Sequence, residues 1–431
     1  MTLLVISPDY ASHLLPLVTL AGAWRDAGHE VVVATGPATA PIVTEAGFRR
    51  IDLSLGRGAN AGVMRTEQQQ AEEAASLAGF FAATREGMVE TLTYQATERL
   101  TDLMWEPVDR ARQTLRIIEE VAPDAILVDH LAFSARMALH TAGIPYGDVV
   151  LGHPTALPVG DERYGCPPFW PAAFTPEPER VAALRELCER VSTGFTAQWN
   201  SAAAQLDPTA TPVADAFAVH GETVLYNYPE PLAAGDGRML PPRVFLGSTL
   251  RGEAVPTDVA AWLDDDAPFV YVSFGSFLSV RGDVLARVAD ALRRLGVRAA
   301  IATGATDPAA LGDIPDTWLV RDFLPQVRLL QSAAVAVTHG GNNSVTEATA
   351  QGVPLVVLPF STDQFAGAAA LERTGVGVAL APNTATVDDL VTALATQLDA
   401  PAATREVLAE IRAAERREPG PARAYAALSA R

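Results

Sequence analysis

The sequence contains no lysine; all 32 of its Lys/Arg positions are arginine. Without lysine there is no Schiff base, which excludes pyridoxal-phosphate chemistry, and no Walker A phosphate loop. Cysteine is nearly absent as well. Cys166 and Cys188 are the only two, too few for a disulfide framework or a zinc site. Basic residues are outnumbered 32 to 51, giving a net charge of −19. That balance argues against a nucleic-acid partner, which would want a basic stripe. No apolar run is long enough to span a bilayer. The opening MTLLVISPDY has no positive leader and is broken at Pro8, so it reads as a buried strand rather than a signal peptide. A cytoplasmic protein without membrane insertion is expected. The first βα turn, Ser7-Pro8-Asp9-Tyr10-Ala11-Ser12, lacks the G-x-G-x-x-G of dinucleotide-binding oxidoreductases, which disfavours that class.

What is present is ample apolar material, 49% of 431 residues, enough for two to three domains with large cores. Apolar runs at 3–7, 30–35 and 48–53 alternate with helical patterning that ends at Gly28 and Gly47. This is βαβαβ, the opening half of a doubly wound sheet. Further strands are expected at 125–128, ending at Asp129, and near 146–150. Residues 55–63 read as a glycine-rich loop, and 66–121 as helical. A proline- and glycine-rich stretch at 229–242 suggests a boundary, dividing the chain into domains 1–235 and 236–431. Strands at 269–273, 299–303 and 318–320 follow, with a short closing helix at 419–431.

The segment 152–178 is rich in proline and aromatics, among them His153, Phe169 and Trp170. It reads equally as a loop packed on the domain or as the wall of an apolar pocket with Phe80, Phe81 and Trp105, since pockets are themselves mostly apolar.

The most informative stretch is VAVTHGGNNSVTEATAQGVPLVVLPFSTDQ, residues 335–364. It reads as strand, glycine turn, helix and strand, the parallel βαβ unit whose turn lies at the ligand-binding edge of an open sheet. The first N–H groups of the helix are unpaired and carry the positive end of its dipole. Gly340 and Gly341 let a phosphate approach that backbone closely, and Asn343 and Ser344 add short donors. The turn reads as a pyrophosphate cradle that uses no lysine.

His-Gly-Gly-x-Asn-Ser at 339–344, Glu347, Gly-Val-Pro at 352–354 and Asp363-Gln364 occur in one order and spacing. Together they resemble the donor signature of nucleotide-sugar glycosyltransferases of the UDP-glycosyltransferase type, including those that decorate antibiotics. The resemblance is strong over 270–364 and moderate around Ser12-His13-Leu14-Leu15-Pro16 and Ile126-Leu127-Val128-Asp129; 152–227 match nothing recognisable. It implies an α/β protein of GT-B fold, two Rossmann-like domains facing each other across a cleft. It implies an inverting, metal-independent transfer of a sugar from a nucleotide donor to a hydroxyl of a hydrophobic natural product, such as a polyketide or macrolide aglycone. No cofactor is needed beyond the donor, and a homodimer is left open.

Carried over by position, the resemblance has Phe323 stack on the base, with Gln326 beside it and Glu347 on the ribose hydroxyls. His339, Gly341, Asn343, Ser344 and Ser276 hold the pyrophosphate, and Asp363 and Gln364 hold the sugar. Asn342 stands where an aromatic residue is common. Ser12 replaces the family's usual glycine before His13, the family's general base. Asp129 would orient that imidazole. Alone, His13 reads as a helix-start or loop histidine. A uridine ribonucleotide donor is favoured through Glu347, with a dTDP-deoxysugar second. Asp264-Asp265-Asp266 formally match the Asp-x-Asp metal site of the other large glycosyltransferase fold, but in the resembled family this stretch is a solvated helix end. An epimerase or a non-catalytic nucleotide-sugar-binding partner are the rival readings.

Overall fold

Among the described residues thirteen strands form two wholly parallel sheets. In this computed structural model residues 1–58, 60, 71–102 and 104–429 are described, apart from the side chains of 71–74, 100–102 and 276. The expected loop at 55–63 and the start of the helical pattern at 66 therefore lie partly outside the described residues. The first sheet comprises β1 (Thr2–Ile6), β2 (Glu30–Thr35), β3 (Arg49–Asp52), β4 (Ala125–Asp129), β5 (Gly147–Val150), β6 (Thr223–Tyr226) and β7 (Arg243–Phe245), in the order β3-β2-β1-β4-β5-β6-β7. The second comprises β8 (Phe269–Ser273), β9 (Arg298–Ala302), β10 (Leu319–Arg321), β11 (Val335–Thr338), β12 (Leu355–Val357) and β13 (Gly377–Ala379), in the order β10-β9-β8-β11-β12-β13. Leu3, Leu4, Val5 and Ile6 are all fully buried. Continuous apolar strands of this kind have both faces covered, which is the condition of a parallel sheet wrapped in helices. The strands β6 and β13 have no counterpart in the sequence reading.

The helices that clothe the first sheet follow their apolar stripes. In Pro178–Leu206 the buried positions Leu184, Cys188, Val191, Phe195, Trp199 and Ala202 recur every three or four residues, one face of an α-helix. That face receives the helices Met88–Asp102 and Pro107–Val121. The helix Gly420–Ser429 returns to the first half and packs on Ala11–Asp26. Tyr425 meets Trp24 edge-on at 5.2 Å between ring centres, and its hydroxyl lies 3.0 Å from His29 Nε2. The halves are also joined along one flank. Arg281 and Asn383 donate to the Thr84 carbonyl, each at 3.0 Å.

Both sheets reverse their strand order once, at β1/β4 and at β8/β11. Ligands of open α/β sheets bind outside the carboxyl ends of the strands at such reversals. Here β1 and β4 run in register from Leu3↔Ala125 to Ile6↔Val128, and β11 and β8 from Val335↔Val270 to Thr338↔Ser273. The carboxyl ends of these four strands and the turns and helix starts that follow them carry His13, Asp129, Gly275 and His339, and all four residues line one cavity.

Candidate active site

His13 lies in the first turn of the helix that follows β1, and Asp129 is the last residue of the neighbouring β4. The register of the pair brings them together: His13 Nδ1 is 2.8 Å from Asp129 Oδ2. Asp129 is fully buried, and its other oxygen accepts the Leu131 N–H at 2.8 Å. A carboxylate only accepts, so Nδ1 of the neutral ring carries the hydrogen and Nε2 keeps the lone pair. Burial is the largest influence on the imidazole and pulls its pKa down. The charge and hydrogen bond of Asp129, with a further contribution from the charge of Asp363, outweigh it and raise the pKa above the usual value. The result is an oriented imidazole whose protonated form is supported by a buried charge.

Across the cavity the helix Asn342–Ala350 starts after β11 with Gly341 at its N-cap and no side-chain cap. Its first N–H groups are thus left for a ligand. Gly340 turns the chain with φ +85°. The His339 imidazole sits between two glycines: a Cβ on Gly275 would come within 2.7 Å of the ring and one on Gly341 within 2.3 Å. Burial lowers the His339 pKa to about 4, so at neutral pH the ring is an uncharged donor or acceptor. Phe323 stands 70% exposed at the cavity wall, a large apolar face turned largely to solvent.

Several expected donor residues already have protein partners. Asn343 Nδ2 donates to the Ser12 carbonyl and Asn342 Nδ2 to the Asn227 carbonyl, both at 2.9 Å. The two amides therefore bridge the halves rather than point at the helix N-terminus. Ser344 Oγ is 3.4 Å from Gln326 Oε1. Glu347 is 2% exposed and does not line the cavity. Gln326 Nε2 donates to it at 2.6 Å and Arg251 pairs with it. Burial pushes the Glu347 carboxyl up, against the pull of Arg251 and Gln326. Arg251 also pairs with Glu253 at 2.6 Å, and Glu253 accepts the Val327 N–H at 2.7 Å. Asp363 accepts from the Thr362 hydroxyl at 3.0 Å and from the His153 backbone N–H. Gln364 turns its amide into its own loop, accepting from the Phe360 N–H at 3.0 Å. The side chain of Ser276 is outside the described residues.

The cavity has a volume of about 960 Å³ and is walled by both halves. His13, Asp129, Phe323, Gln326, His339, Gly341, Asn342, Asn343, Ser344, Asp363 and Gln364 all line it. The aromatic residues expected at the acceptor do not. Phe80 and Phe81 pack on Phe277 of the second half, 6.0 and 6.3 Å between ring centres. Trp105 lies under the Arg110 guanidinium at 4.3 Å. His153 packs on Tyr228 and Trp170 on Phe365, while Phe169 is partly buried away from the cavity wall. Aromatic packing and an aromatic pocket leave the same mark in a sequence, which is why the two readings stood level. Residues that the sequence reading missed are Arg251, Gln95, Arg99 and His130, all on the cavity wall. For Arg251 the one available signal is indirect: a glutamate on the inner face of a helix needs a partner. Among the described residues no group of three or more His, Cys, Asp or Glu is placed to hold a metal ion.

Two doubly wound parallel sheets, each presenting its reversal point to a shared cavity, define the GT-B fold. The chain belongs to the UDP-glucoronosyl and UDP-glucosyl transferase family, whose model matches residues 195–412. It is 33% identical over 147 residues to NDP-glycosyltransferase YjiC of Bacillus subtilis, a match covering 34% of this chain and 37% of that protein. The chain thus spans only about a third of the length of such curated relatives. A longer match, 25% identical over 453 residues, covers 99% of the chain and 95% of the aklavinone 7-beta-L-rhodosaminyltransferase of Streptomyces galilaeus. Among solved structures the glycosyltransferase VinC, in complex with dTDP, aligns with a TM-score of 0.68 at 19% identity, covering 100% of this chain and 99% of that one.

Proposed function

We propose that this protein is an inverting, metal-independent glycosyltransferase that moves a sugar from a nucleotide donor to a hydroxyl of a hydrophobic natural product of the polyketide or macrolide kind. One observation carries the reading: a buried-carboxylate-to-imidazole pair, His13–Asp129 at 2.8 Å, shares a cavity with an uncapped, glycine-led helix N-terminus. Nε2 of His13 takes the acceptor hydroxyl proton as the oxygen bonds to the anomeric carbon and the bond from that carbon to the diphosphate breaks. Asp129 supports the imidazolium that forms. The helix N-terminus, with Gly340 and Gly341 allowing close approach, receives the charge that develops on the departing diphosphate. The full-length likeness to a rhodosaminyltransferase supports an aglycone as acceptor. Mass spectrometry of an acceptor panel mixed with UDP-glucose or dTDP-sugars tests the reading. A sugar-sized mass increase on an acceptor is expected. Isomerised donor or free diphosphate without any glycoside would instead favour an epimerase.

The donor base is less discriminated than the ribose argument alone suggests. Glu347 has its two oxygens met by Arg251 and Gln326, so a donor without the 2′-hydroxyl leaves no carboxylate unsatisfied. Its loss then costs one ordinary hydrogen bond, about 0.5–1.5 kcal/mol, or roughly two- to tenfold in affinity. That VinC was solved with dTDP bound supports a deoxynucleotide as an equal candidate. Calorimetric titration is expected to place UDP and dTDP within about tenfold of each other. A dTDP affinity weaker than that of UDP by about a hundredfold would restore the strict ribose requirement.

A further inference from the structure

Of the charged side chains on the cavity wall, most are already committed. Asp129 holds His13, Arg251 holds Glu347 and Glu253, Asp322 accepts the Phe323 N–H, and Asp363 accepts from Thr362 and His153. Arg99 is the exception. It lines the cavity from the first half, on the helix Met88–Asp102, and no carboxylate among the described residues pairs with it. Its guanidinium lies 5.0 Å from the centre of the Tyr164 ring. Gly165 beside it has φ +87°, and a Cβ there would come within 2.6 Å of Arg99 Nη1. The loop is therefore shaped around the guanidinium. One helical turn earlier on the same face, Gln95 also lines the cavity. Its carbonyl oxygen accepts the Thr362 N–H at 3.3 Å, which leaves its amide N–H groups as donors. Two donors, one of them a cation, thus face the acceptor side of a cavity whose wall there includes Leu77, Leu131 and Leu151.

We propose that Arg99, with Gln95, binds an acidic oxygen, a carboxylate, on an otherwise apolar acceptor and so sets which of its hydroxyls meets His13. A guanidinium at a largely apolar wall gains most from a ligand that supplies the missing anion, because charge-assisted hydrogen bonds are about twice as strong as neutral ones. The proposal rests on the acceptor lying in the first half, and its test reads binding rather than transfer. The probes are two 1,8-dihydroxyanthraquinones that differ only at position 3, one bearing a carboxylate and one a methyl group. Each is titrated by fluorescence quenching into the UDP-loaded protein. The carboxylate is expected to bind about 10–100-fold more tightly than the methyl compound. Arg99→Met should remove that preference while leaving the affinities for the methyl compound and for UDP unchanged. Equal binding of the two probes, no binding of either, or a preference that survives in Arg99→Met overturns the proposal. UDP titration of the same samples judges the glycosyltransferase reading separately: a chain that binds the carboxylate but neither UDP nor dTDP would sink that reading and leave Arg99 as an anion site.

Discussion

His13→Ala is expected to lower turnover by about 10²–10⁴-fold while UDP affinity stays as it was, because the helix N-terminus proposed to receive the diphosphate follows a strand of the other sheet. The pH dependence separates a base from a residue that merely fills space. The neutral imidazole is the active form, so activity falls as pH falls through the His13 pKa. That pKa is raised by Asp129 and Asp363 over the opposing effect of burial, so the acid limb should lie above the ordinary histidine value. Asp129→Asn removes the largest of the raising influences, and the limb should move to lower pH. On the plateau above it turnover should still be reduced, since the forming imidazolium has lost its counter-charge. The double variant should be little worse than His13→Ala, as the two act as a unit. Near-normal turnover in His13→Ala, or an acid limb that does not move in Asp129→Asn, would remove the dyad from the chemistry.

Gly341→Ala is expected to weaken UDP and dTDP alike by about 10–100-fold, the cost of losing one hydrogen bond to a charged group. The physical cause is space. The added Cβ would come within 2.3 Å of His339 Nε2, so either the ring leaves its place between Gly275 and Gly341 or the turn opens. Both move the N–H groups proposed to face the diphosphate. Backbone strain is not the cause, because Gly341 has φ −60°; Gly275→Ala, at φ +69°, adds strain to the same clash and should lower the melting temperature as well. Calorimetric titration and thermal melting of the two variants distinguish these effects. Unchanged nucleotide affinity in Gly341→Ala would mean that the diphosphate binds elsewhere.

The glycine turn and the helix start on the cavity wall were legible because their parts are adjacent in the chain. A Val-rich strand, two glycines and a helix start between residues 335 and 350 write strand, turn and helix in one local pattern, and the structure reproduces it as β11 followed by Asn342–Ala350. His13 and Asp129 were legible for a related reason. Each follows or ends an unmistakable apolar run, so each could be placed at the carboxyl end of a strand without knowledge of the sheet.

The amino-acid sequence by itself therefore determined the α/β class, the doubly wound halves, the glycine turn before Asn342–Ala350 and the strand-end positions of His13 and Asp129, since each depends on interactions within a few residues. Only the tertiary structure decided which side chains share the cavity. His13 and Asp129 are 116 positions apart and Arg251 and Glu347 are 96 apart, and their meeting depends on strand order and on crossovers that no local period encodes. The same holds in reverse for Phe80 and Phe81. They are apolar and regularly placed, and nothing near them in the chain records that their neighbour is Phe277 rather than a substrate. Strand ends are written locally by hydrophobic runs and glycines, whereas the company a side chain keeps is set by how distant elements pack.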